Sequence, residues 1–576
     1  MKRKITFRER LNKMLNKWFE HNTWVSINYK KEIPSFIINS VTIDKKKVDR
    51  ELRINVLILV SFLLFGGIIY RALSLSVEVN NPFKNLFKKK IEIAKSTTKD
   101  ENLSRIDIVD RKGVVLATDL PIEELYANPS MILFPEKTAK AIKKIFPELN
   151  ENKLLKRFKS GKKFVYVKRK ISPEEKQEVL KIGDPGLNFI KRNSRFYPQG
   201  KQFSKILGST DIDNNGVSGI EKYFNEAILN TNKNENIKLS VDTNINYMIR
   251  KHLLDAMERF SSKNAGAILM KKDTGEVISM VSLPDYHPKN AKKFVNNQLY
   301  NNHMTLSVYE AGSIFKVFNT AMALEEGLFD LGRTYDTRKP VKIKGATIKD
   351  KKPHGIINIP EVLSYSSNVG SARIALELGR EVQEETLRKF HLFERSPLEI
   401  PEVGLSLTPK PWNEVATAVL SYGYGMSVSP INLLSAFNAT INDGCYVNPT
   451  LINLSEEAED IVRRNCDRVI SEENSEIIRK NLRLVVLNGT AQLAKSDKIK
   501  IGGKTGTSFK QGNGGYSEAK ITFFTSAFPI ENPKYSLLIF FNDVKAEKIR
   551  KWCNDASCNA VPVSKDIIED IYEILD

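Results

Sequence analysis

A serine and a lysine stand three positions apart in the stretch "EAGSIFKVF", where Ser313 is followed by Lys316. Three positions along a helix place two side chains on the same face, one turn apart. A serine hydroxyl becomes a useful nucleophile only when a base lies within hydrogen-bond reach, and lysine serves as that base only when neutral. The spacing therefore suggests an acyl-transfer pair, although it also fits one turn of an ordinary amphipathic helix.

Two further motifs follow along the chain. Ser366 and Asn368 form S-x-N in "SYSSNVG", and Lys504 opens K-T-G-T in "IGGKTGTSF". A second cation such as Lys504, together with the apolar neighbours of Lys316, would lower the lysine pKa and favour the neutral amine. Ser366 could relay a proton to a leaving amine, and Asn368 could hold Lys316. The order of the motifs and their contexts (helix start, inter-helix loop, strand) favour one active site over incidental matches.

The elements that would position these motifs are a sheet and a block of helices. The stretch "AGAILMKKDTGEVISMVSLP" predicts a β-hairpin that turns at residues 273–275. From residue 310 to about residue 500 the sequence pattern is mostly helical. Three β-rich runs and a terminal helix complete the chain. Strands at both ends of a helical block predict that residues 236–576 form an α+β domain, with an antiparallel sheet packed between helices.

Residues 101–235 alternate β-like runs with helical stretches and turn signals, which predicts an elongated α+β pedestal module. Before it, residues 76–100 read as a polar linker. Residues 54–75 contain the uncharged run "INVLILVSFLLFGGIIY", for which we predict a single transmembrane anchor. A buried soluble helix is the alternative, and a cleaved signal peptide fits poorly because a long tail precedes the run. Cations flank the run on both sides, so the positive-inside rule assigns no orientation.

Residues 1–53 form a basic tail. Within it, apolar side chains between residues 7 and 19 recur at helical spacing among lysines and arginines. This pattern is typical of an amphipathic helix that contacts a membrane surface or a partner helix, and a solvated, partly ordered tail is the alternative.

The net charge of +21 would suit a nucleic-acid-binding protein, but the charge is dispersed along the 576 residues. The chain lacks zinc-finger spacing and an RNA-binding aromatic signature, so we predict no nucleic-acid partner. The six histidines are scattered without H-E-x-x-H, and the four cysteines form no paired C-x-x-C ligands. We therefore expect neither a metal nor a cofactor.

Together, the three motifs resemble the active site of the penicilloyl serine transferases, the family of penicillin-binding proteins and serine β-lactamases. The resemblance implies a β-lactamase-like transpeptidase domain with Ser313 as nucleophile and Lys316 as general base. It also implies an oxyanion hole formed by the backbone N–H groups of Ser313 and Thr507. In the third motif, the Lys504 amine and the hydroxyl groups of Thr505 and Thr507 would receive the substrate carboxylate. Gly506, between the two threonines, completes the implied substrate-binding residues.

The segment "RFYPQGKQFSKILGSTDIDNNGVSGIEKYFNEAI" is similar to boxes in the N-terminal module of class B penicillin-binding proteins, with matches that include Arg195, Tyr197 and Glu221. Two departures lie in this module: "SRID" stands where the first box usually opens with Arg-Gly, and "FSKIL" replaces a common histidine. "SSNVG" and "YGYG" look like the division-specific branch. Class B proteins lack a glycosyltransferase domain, and the pedestal leaves no room for one.

The class B resemblance implies D,D-transpeptidation, in which Ser313 attacks the penultimate D-Ala carbonyl of a peptidoglycan stem pentapeptide during septal wall synthesis. It implies inhibition by β-lactams, and partners that include a membrane glycosyltransferase and other divisome proteins. The tail would lie in the cytoplasm and the catalytic domain in the periplasm, on the inner membrane at the septum. The alternatives are a β-lactamase or D,D-carboxypeptidase, in which water replaces the acceptor amine, and a catalytically silent divisome scaffold.

Two of the four cysteines are close neighbours in the sequence. Cys553 and Cys558 lie close together in "CNDASC", and an oxidising periplasm would favour a disulfide between them. Cys445 and Cys466 stand alone in the sequence, which assigns neither of them a partner.

Overall fold

The computed structural model describes Gly66 and residues 105–225, 236–293, 300–330, 332–512, 515–544 and 554–575. The predicted tail and linker, and all of the predicted anchor except Gly66, lie outside this part of the chain. Within the described residues, we find no helix with the length and apolar character needed to cross a membrane.

Eighteen strands are described: β1 (Ile108–Val109), β2 (Val115–Ala127), β3 (Val165–Ile171), β4 (Leu187–Phe196), β5 (Ser209–Thr210), β6 (Gly216–Ser218), β7 (Ile237–Lys238), β8 (Asn264–Lys271), β9 (Val277–Leu283), β10 (Thr334–Asp336), β11 (Val341–Ile343), β12 (Ala346–Ile348), β13 (Ile356–Asn358), β14 (Cys445–Tyr446), β15 (Asp467–Arg468), β16 (Gly502–Gly512), β17 (Gly515–Phe528) and β18 (Tyr535–Val544).

The described α-helices are α1 (Pro135–Ile145), α2 (Glu151–Phe158), α3 (Pro173–Leu180), α4 (Ser204–Leu207), α5 (Gly219–Tyr223), α6 (Thr243–Arg259), α7 (Phe315–Glu325), α8 (Ile359–Ser364), α9 (Asn368–Lys389), α10 (Glu414–Leu420), α11 (Pro430–Ile441), α12 (Glu456–Arg464), α13 (Glu472–Asn488) and α14 (Ala560–Ile571). Helix α9 is kinked at Gly379, whose φ is 84°. Short 3₁₀ turns include Gly312–Ile314, just before α7, and Ala556–Cys558, just before α14.

The central sheet has five antiparallel strands in the order β16-β17-β18-β8-β9. Successive side chains of β8, β9 and β18 are almost all buried. Because neighbouring side chains of a strand point to opposite faces, the sheet must be covered on both faces. Helices α6 and α14 pack on β9 and β18, while α11 packs on β18 and α13 on β16. The predicted hairpin and the predicted antiparallel sheet between helices are confirmed.

The pedestal is built on the long strand β2, which pairs with β1, β3 and β4. Helices α1, α2 and α3 enclose a small core of their own, in which Ile142, Phe146 and Leu154 are buried. The larger core runs from β1 into the central sheet without a break. Strand β1 also pairs in parallel with β7, so the pedestal is joined through a shared sheet to the segment that leads into the central sheet.

Buried charges hold the pedestal together. Glu221 accepts hydrogen bonds from Arg105 at 2.5 Å and from Arg195 at 2.6 Å, and Arg195 also pairs with Asp119 at 3.3 Å. These four side chains are almost fully buried. Each charge is compensated by a partner, which a buried ion requires. Arg195 and Glu221 are among the residues for which the sequence analysis noted a resemblance, and this network gives their residue types a structural reason.

Cys445 and Cys466, to which the sequence assigned no partner, are joined in a disulfide with a Cα–Cα distance of 5.5 Å. Strand β14 begins at Cys445 and pairs with β15, which begins one residue after Cys466. This pairing brings the two cysteines together across the segment that contains α12, and sequence spacing gave no sign of it. Cys558 is disulfide-bonded as well. Its predicted partner Cys553 lies outside the described residues, so that pairing stays a prediction.

Candidate active site

The serine and lysine of the first motif lie at the beginning of a buried helix. Ser313 occupies the 3₁₀ turn that leads into α7, and Lys316 lies one turn further along. The Lys316 Nζ atom is 3.0 Å from the Ser313 Oγ atom. All residues of α7 except the last are buried, and the Lys316 side chain is almost inaccessible to solvent. A surface role for this lysine is therefore excluded.

The other contacts of Lys316 fit a neutral amine. Its Nζ donates to the Ser366 carbonyl oxygen at 2.6 Å and to Asn368 Oδ1 at 2.7 Å, and both of these atoms can only accept. A neutral amine has two N–H groups and one lone pair. With both N–H groups used, the lone pair is left for the proton of the Ser313 hydroxyl. This arrangement is the one that a general base next to a serine nucleophile requires.

Lys504 supplies an electrostatic reason for Lys316 to be neutral. It is fully buried on β16, at the edge of the central sheet, and donates to Ser366 Oγ at 2.9 Å. Burial lowers the pKa of Lys504 to about 7. Burial, and next the charge of Lys504, hold the pKa of Lys316 well below its ordinary value, while Asp350 acts in the opposite direction. A buried cation raises the free energy of a second one nearby, so the pair favours a neutral Lys316.

The S-x-N motif lies in the short connection between α8 and α9. Ser366 has a φ of 61°, a left-handed conformation that is unusual for serine. Its Oγ atom lies between the two lysines, 3.2 Å from Lys316 Nζ and 2.9 Å from Lys504 Nζ. This strained residue is held from outside, because Asp350 accepts hydrogen bonds from the Asn368 N–H and from Ser367 Oγ, each at 2.5 Å.

Glycines let the third motif pack directly on the nucleophile turn. A Cβ atom at Gly506 would lie 2.3 Å from the carbonyl oxygen of Ala311. Gly312 has a φ of 55°, and a Cβ atom there would lie 2.6 Å from the carbonyl oxygen of Thr507. Neither position accepts a side chain without displacing backbone. The backbone of β16 therefore runs beside Ser313, where its N–H groups can face a reacting carbonyl.

The two threonines of the third motif have fixed hydroxyl groups. Thr505 Oγ1 is 2.7 Å from Thr490 Oγ1, and Thr507 Oγ1 accepts a hydrogen bond from the Ala556 N–H at 3.2 Å. The structure thus brings all eight predicted site residues into one contiguous site.

Sequence reasoning missed the residues that support this site. Asp350, Thr490 and Ala556 belong to no motif, and their neighbours in sequence gave no signal. Glu310 accepts hydrogen bonds from the Gly425 N–H at 2.7 Å and from Tyr516 Oη at 3.0 Å. The "YGYG" stretch, noted only as a resemblance, could have pointed to this contact. Within the described part of the chain, no cluster of His, Cys, Asp and Glu is arranged to hold a metal ion.

Two family models match the chain. The penicillin binding protein transpeptidase domain matches residues 265–569, and the penicillin-binding protein dimerisation domain matches residues 101–251. The first match contains all three motifs, and the second contains the buried ion network of the pedestal.

Curated relatives resemble the chain over most of its length. It is 30% identical to the probable peptidoglycan D,D-transpeptidase FtsI of Caulobacter vibrioides, over 82% of this chain and 81% of the relative. It is 26% identical to the probable peptidoglycan D,D-transpeptidase PenA of Neisseria gonorrhoeae (87% and 90% covered) and 25% identical to the peptidoglycan D,D-transpeptidase FtsI of Escherichia coli K12 (77% and 80% covered). A solved peptidoglycan synthetase from Bifidobacterium adolescentis shares the fold, with a TM-score of 0.64 at 19% identity over 82% of this chain and 95% of that chain.

Proposed function

The chain belongs to the class B penicillin-binding proteins, and on that premise we propose that Ser313 is its nucleophile and Lys316 its general base. The chain is a peptidoglycan D,D-transpeptidase that cross-links cell-wall peptides in division. The observation that carries the residue assignment is the contact set of Lys316, whose two acceptor-only partners leave its lone pair for the Ser313 hydroxyl.

Acylation begins when the Ser313 hydroxyl gives its proton to Lys316 and Oγ forms a bond to the penultimate D-Ala carbonyl carbon. The charge that develops on the carbonyl oxygen is stabilised by the backbone N–H groups of Ser313 and Thr507, each such donor being worth about 3 kcal/mol. The C–N bond then breaks. The proton passes from Lys316 through Ser366 Oγ to the leaving nitrogen, a path supported by the 3.2 Å distance between Lys316 Nζ and Ser366 Oγ.

Transfer reverses these proton movements. The amine of a neighbouring stem attacks the acyl carbon, its proton is taken by the same relay, and the Ser313 C–O bond breaks as Oγ recovers a proton. Before acylation, Lys504, Thr505 and Thr507 bind the terminal carboxylate of the donor stem, which then departs with the D-Ala that leaves. Asn368 keeps Lys316 in place and contacts the substrate backbone.

The assignment is tested by incubating the protein with benzylpenicillin and measuring its intact mass. We expect one stoichiometric adduct that maps to Ser313, persists for minutes and is absent from Ser313→Ala. A β-lactamase at ordinary turnover would release the product in well under a second. Rapid hydrolysis without an adduct would favour the β-lactamase or carboxypeptidase alternative, and no reaction would favour the silent scaffold. Cross-linking of a muropeptide donor in a cell-free assay checks the transferase step directly.

We also propose the wider organisation: a cytoplasmic tail (residues 1–53), a membrane anchor (54–75), a linker (76–100), a pedestal (101–235) and a catalytic domain (236–576). The support for the anchor is the uncharged apolar run in the sequence. The catalytic domain would lie in the periplasm, next to a membrane glycosyltransferase and other divisome proteins. Labelling of single cysteines in intact cells tests this topology, because reactive positions after residue 76 and protected positions before residue 54 are expected.

A further inference from the structure

An ion pair between Lys351 and Asp555 connects the segment that holds the S-x-N loop to the segment that contacts the K-T-G-T strand. Lys351 Nζ is 3.2 Å from Asp555 Oδ2, although the two residues are 204 positions apart. Lys351 follows Asp350, which holds the S-x-N loop through the Asn368 N–H. Asp555 precedes Ala556, whose N–H donates to Thr507 Oγ1. The ion pair therefore links the segment of Asp350, which holds the S-x-N loop, to the segment of Ala556, which holds Thr507.

Asp555 is held more firmly by Lys520 than by Lys351. Lys520, on β17, donates to Asp555 Oδ1 at 2.7 Å and to Asn554 Oδ1 at 2.6 Å. The Lys520 side chain is only 16% exposed, whereas that of Lys351 is 89% exposed. Burial opposes ionisation of Asp555, but the hydrogen bond from Lys520 and the charge of Lys351 outweigh it and lower the pKa. Lys520 fixes the carboxylate, and Lys351 adds a weaker contact at the surface.

The contact at Thr507 decides which way its hydroxyl points. A threonine hydroxyl has one hydrogen to donate and two lone pairs that accept. When Ala556 N–H occupies a lone pair of Thr507 Oγ1, the hydrogen points away from Ala556 and is available to an acceptor in the site. The orientation depends on the position of Ala556, and that position depends on Asp555.

We propose that Asp555, held by Lys520 and Lys351, is a positioning residue for recognition of the substrate carboxylate. It fixes the Ala556 amide, and through that amide it aims the Thr507 hydroxyl at the carboxylate. This inference rests on the proposed carboxylate-binding role of Thr507. It predicts a loss of affinity only for ligands that carry the carboxylate.

The test compares benzylpenicillin with its methyl ester, because the ester offers the same reactive ring without the carboxylate. For Asp555→Asn we expect the second-order acylation rate with the acid to fall about tenfold, while the rate with the ester changes by less than about twofold. Asp555→Glu should recover part of the rate with the acid. Asp566→Asn, an exposed aspartate on α14, is the matched control and should leave both rates unchanged.

Lys351→Met keeps the proposal testable if Asp555→Asn does not fold, because Lys351 is almost fully exposed. A two- to threefold loss restricted to the acid is expected, about the value of an exposed ion pair, and Lys352→Met should show none. Equal losses for the acid and the ester, or no loss with either, would overturn the proposal. Adducts at Ser313 with both compounds would leave the proposed function intact in that case, whereas a wild-type protein that forms neither adduct would contradict the function itself.

Discussion

The backbone N–H of Asn368 donates a 2.5 Å hydrogen bond to the carboxylate of Asp350, a residue outside every motif. The same carboxylate accepts from Ser367 Oγ at 2.5 Å and from the Val369 N–H at 3.1 Å. One side chain thus fixes the start of α9 and the loop that carries Ser366. A carboxylate at a helix N-terminus is well placed, because the free N–H groups there favour an anion.

Asp350→Asn should therefore slow acylation more than it destabilises the protein. The amide oxygen can still accept from the N–H groups of Asn368 and Val369, which share one oxygen of Asp350. The amide nitrogen cannot accept from the Ser367 hydroxyl, so the loop that carries Ser366 loses one of its attachments. We expect the second-order rate with benzylpenicillin to fall about tenfold or more, and the melting temperature to fall by a few degrees, about 1–2 kcal/mol. An unchanged rate would show that the loop that carries Ser366 keeps its conformation without the Asp350 carboxylate. The exposed Asp497→Asn is the control.

Lys316→Ala should abolish acylation while the domain stays folded. Removal of the amine takes away the only base that contacts Ser313 Oγ among the described hydrogen bonds. We expect a loss of about a thousandfold or more in the acylation rate, in the upper part of the range for general-base catalysis. Circular dichroism should show a native fold. Lys389→Ala, at an exposed i,i+4 pair, should cost within about 0.5 kcal/mol and no activity. A variant that acylates at a near-normal rate would require another base.

Lys504→Met should stabilise the protein while it weakens ligand binding. The folded-state pKa of Lys504 is about 7, below its unfolded value of 10.5, so folding disfavours the charged form. The unfolded state then binds more protons between these two values, and the stability of the wild type rises with pH across that window. The gain from the substitution should be largest at or below pH 7 and should shrink toward pH 10.5. Denaturant melts at pH 6 and pH 9 check this, and an equal gain at both would contradict the buried-charge explanation.

The Cys445–Cys466 disulfide should contribute to stability without taking part in the reaction. The bond closes a loop of 21 residues that contains α12. In the chain-entropy model a loop of this size stabilises the fold by about 3 kcal/mol. The double variant Cys445→Ala/Cys466→Ala should melt several degrees lower, yet acylate Ser313 at the wild-type rate at 25 °C. A melting temperature equal to that of the wild type would show that β14 and β15 hold the loop alone.

Glu221→Gln should destabilise the pedestal. The substitution leaves Arg105 and Arg195 buried with less compensating charge, a change that typically costs about 3–5 kcal/mol. Limited proteolysis should then cut the pedestal first, while the catalytic domain still reacts with benzylpenicillin. Glu148→Gln, at an exposed pair with Lys168, is the matched control and should change the unfolding free energy by less than about 1 kcal/mol.

The site residues and the type of sheet that carries them could be predicted from the amino-acid sequence. Serine, lysine and asparagine at these spacings can supply the nucleophile, the base and the hydrogen bonds of an acyl transfer. Alternating or continuous apolar runs predict strands without reference to distant contacts. For this reason residues 313, 316, 366, 368 and 504 could be assigned to one site, and the hairpin at residues 273–275 could be placed.

The residues that hold the site in position could not be predicted, because their contacts form only when the chain folds. Asp350, Thr490 and Asp555 act across long sequence separations, and a single acidic or hydroxyl side chain in a loop has no local pattern that distinguishes it from a solvated one. The Cys445–Cys466 bond was missed for the same reason, since the pairing of β14 with β15 brings the sulfurs together. The lowered pKa values of the two lysines likewise come from burial, which depends on the packing of the whole domain and is not written in any one segment.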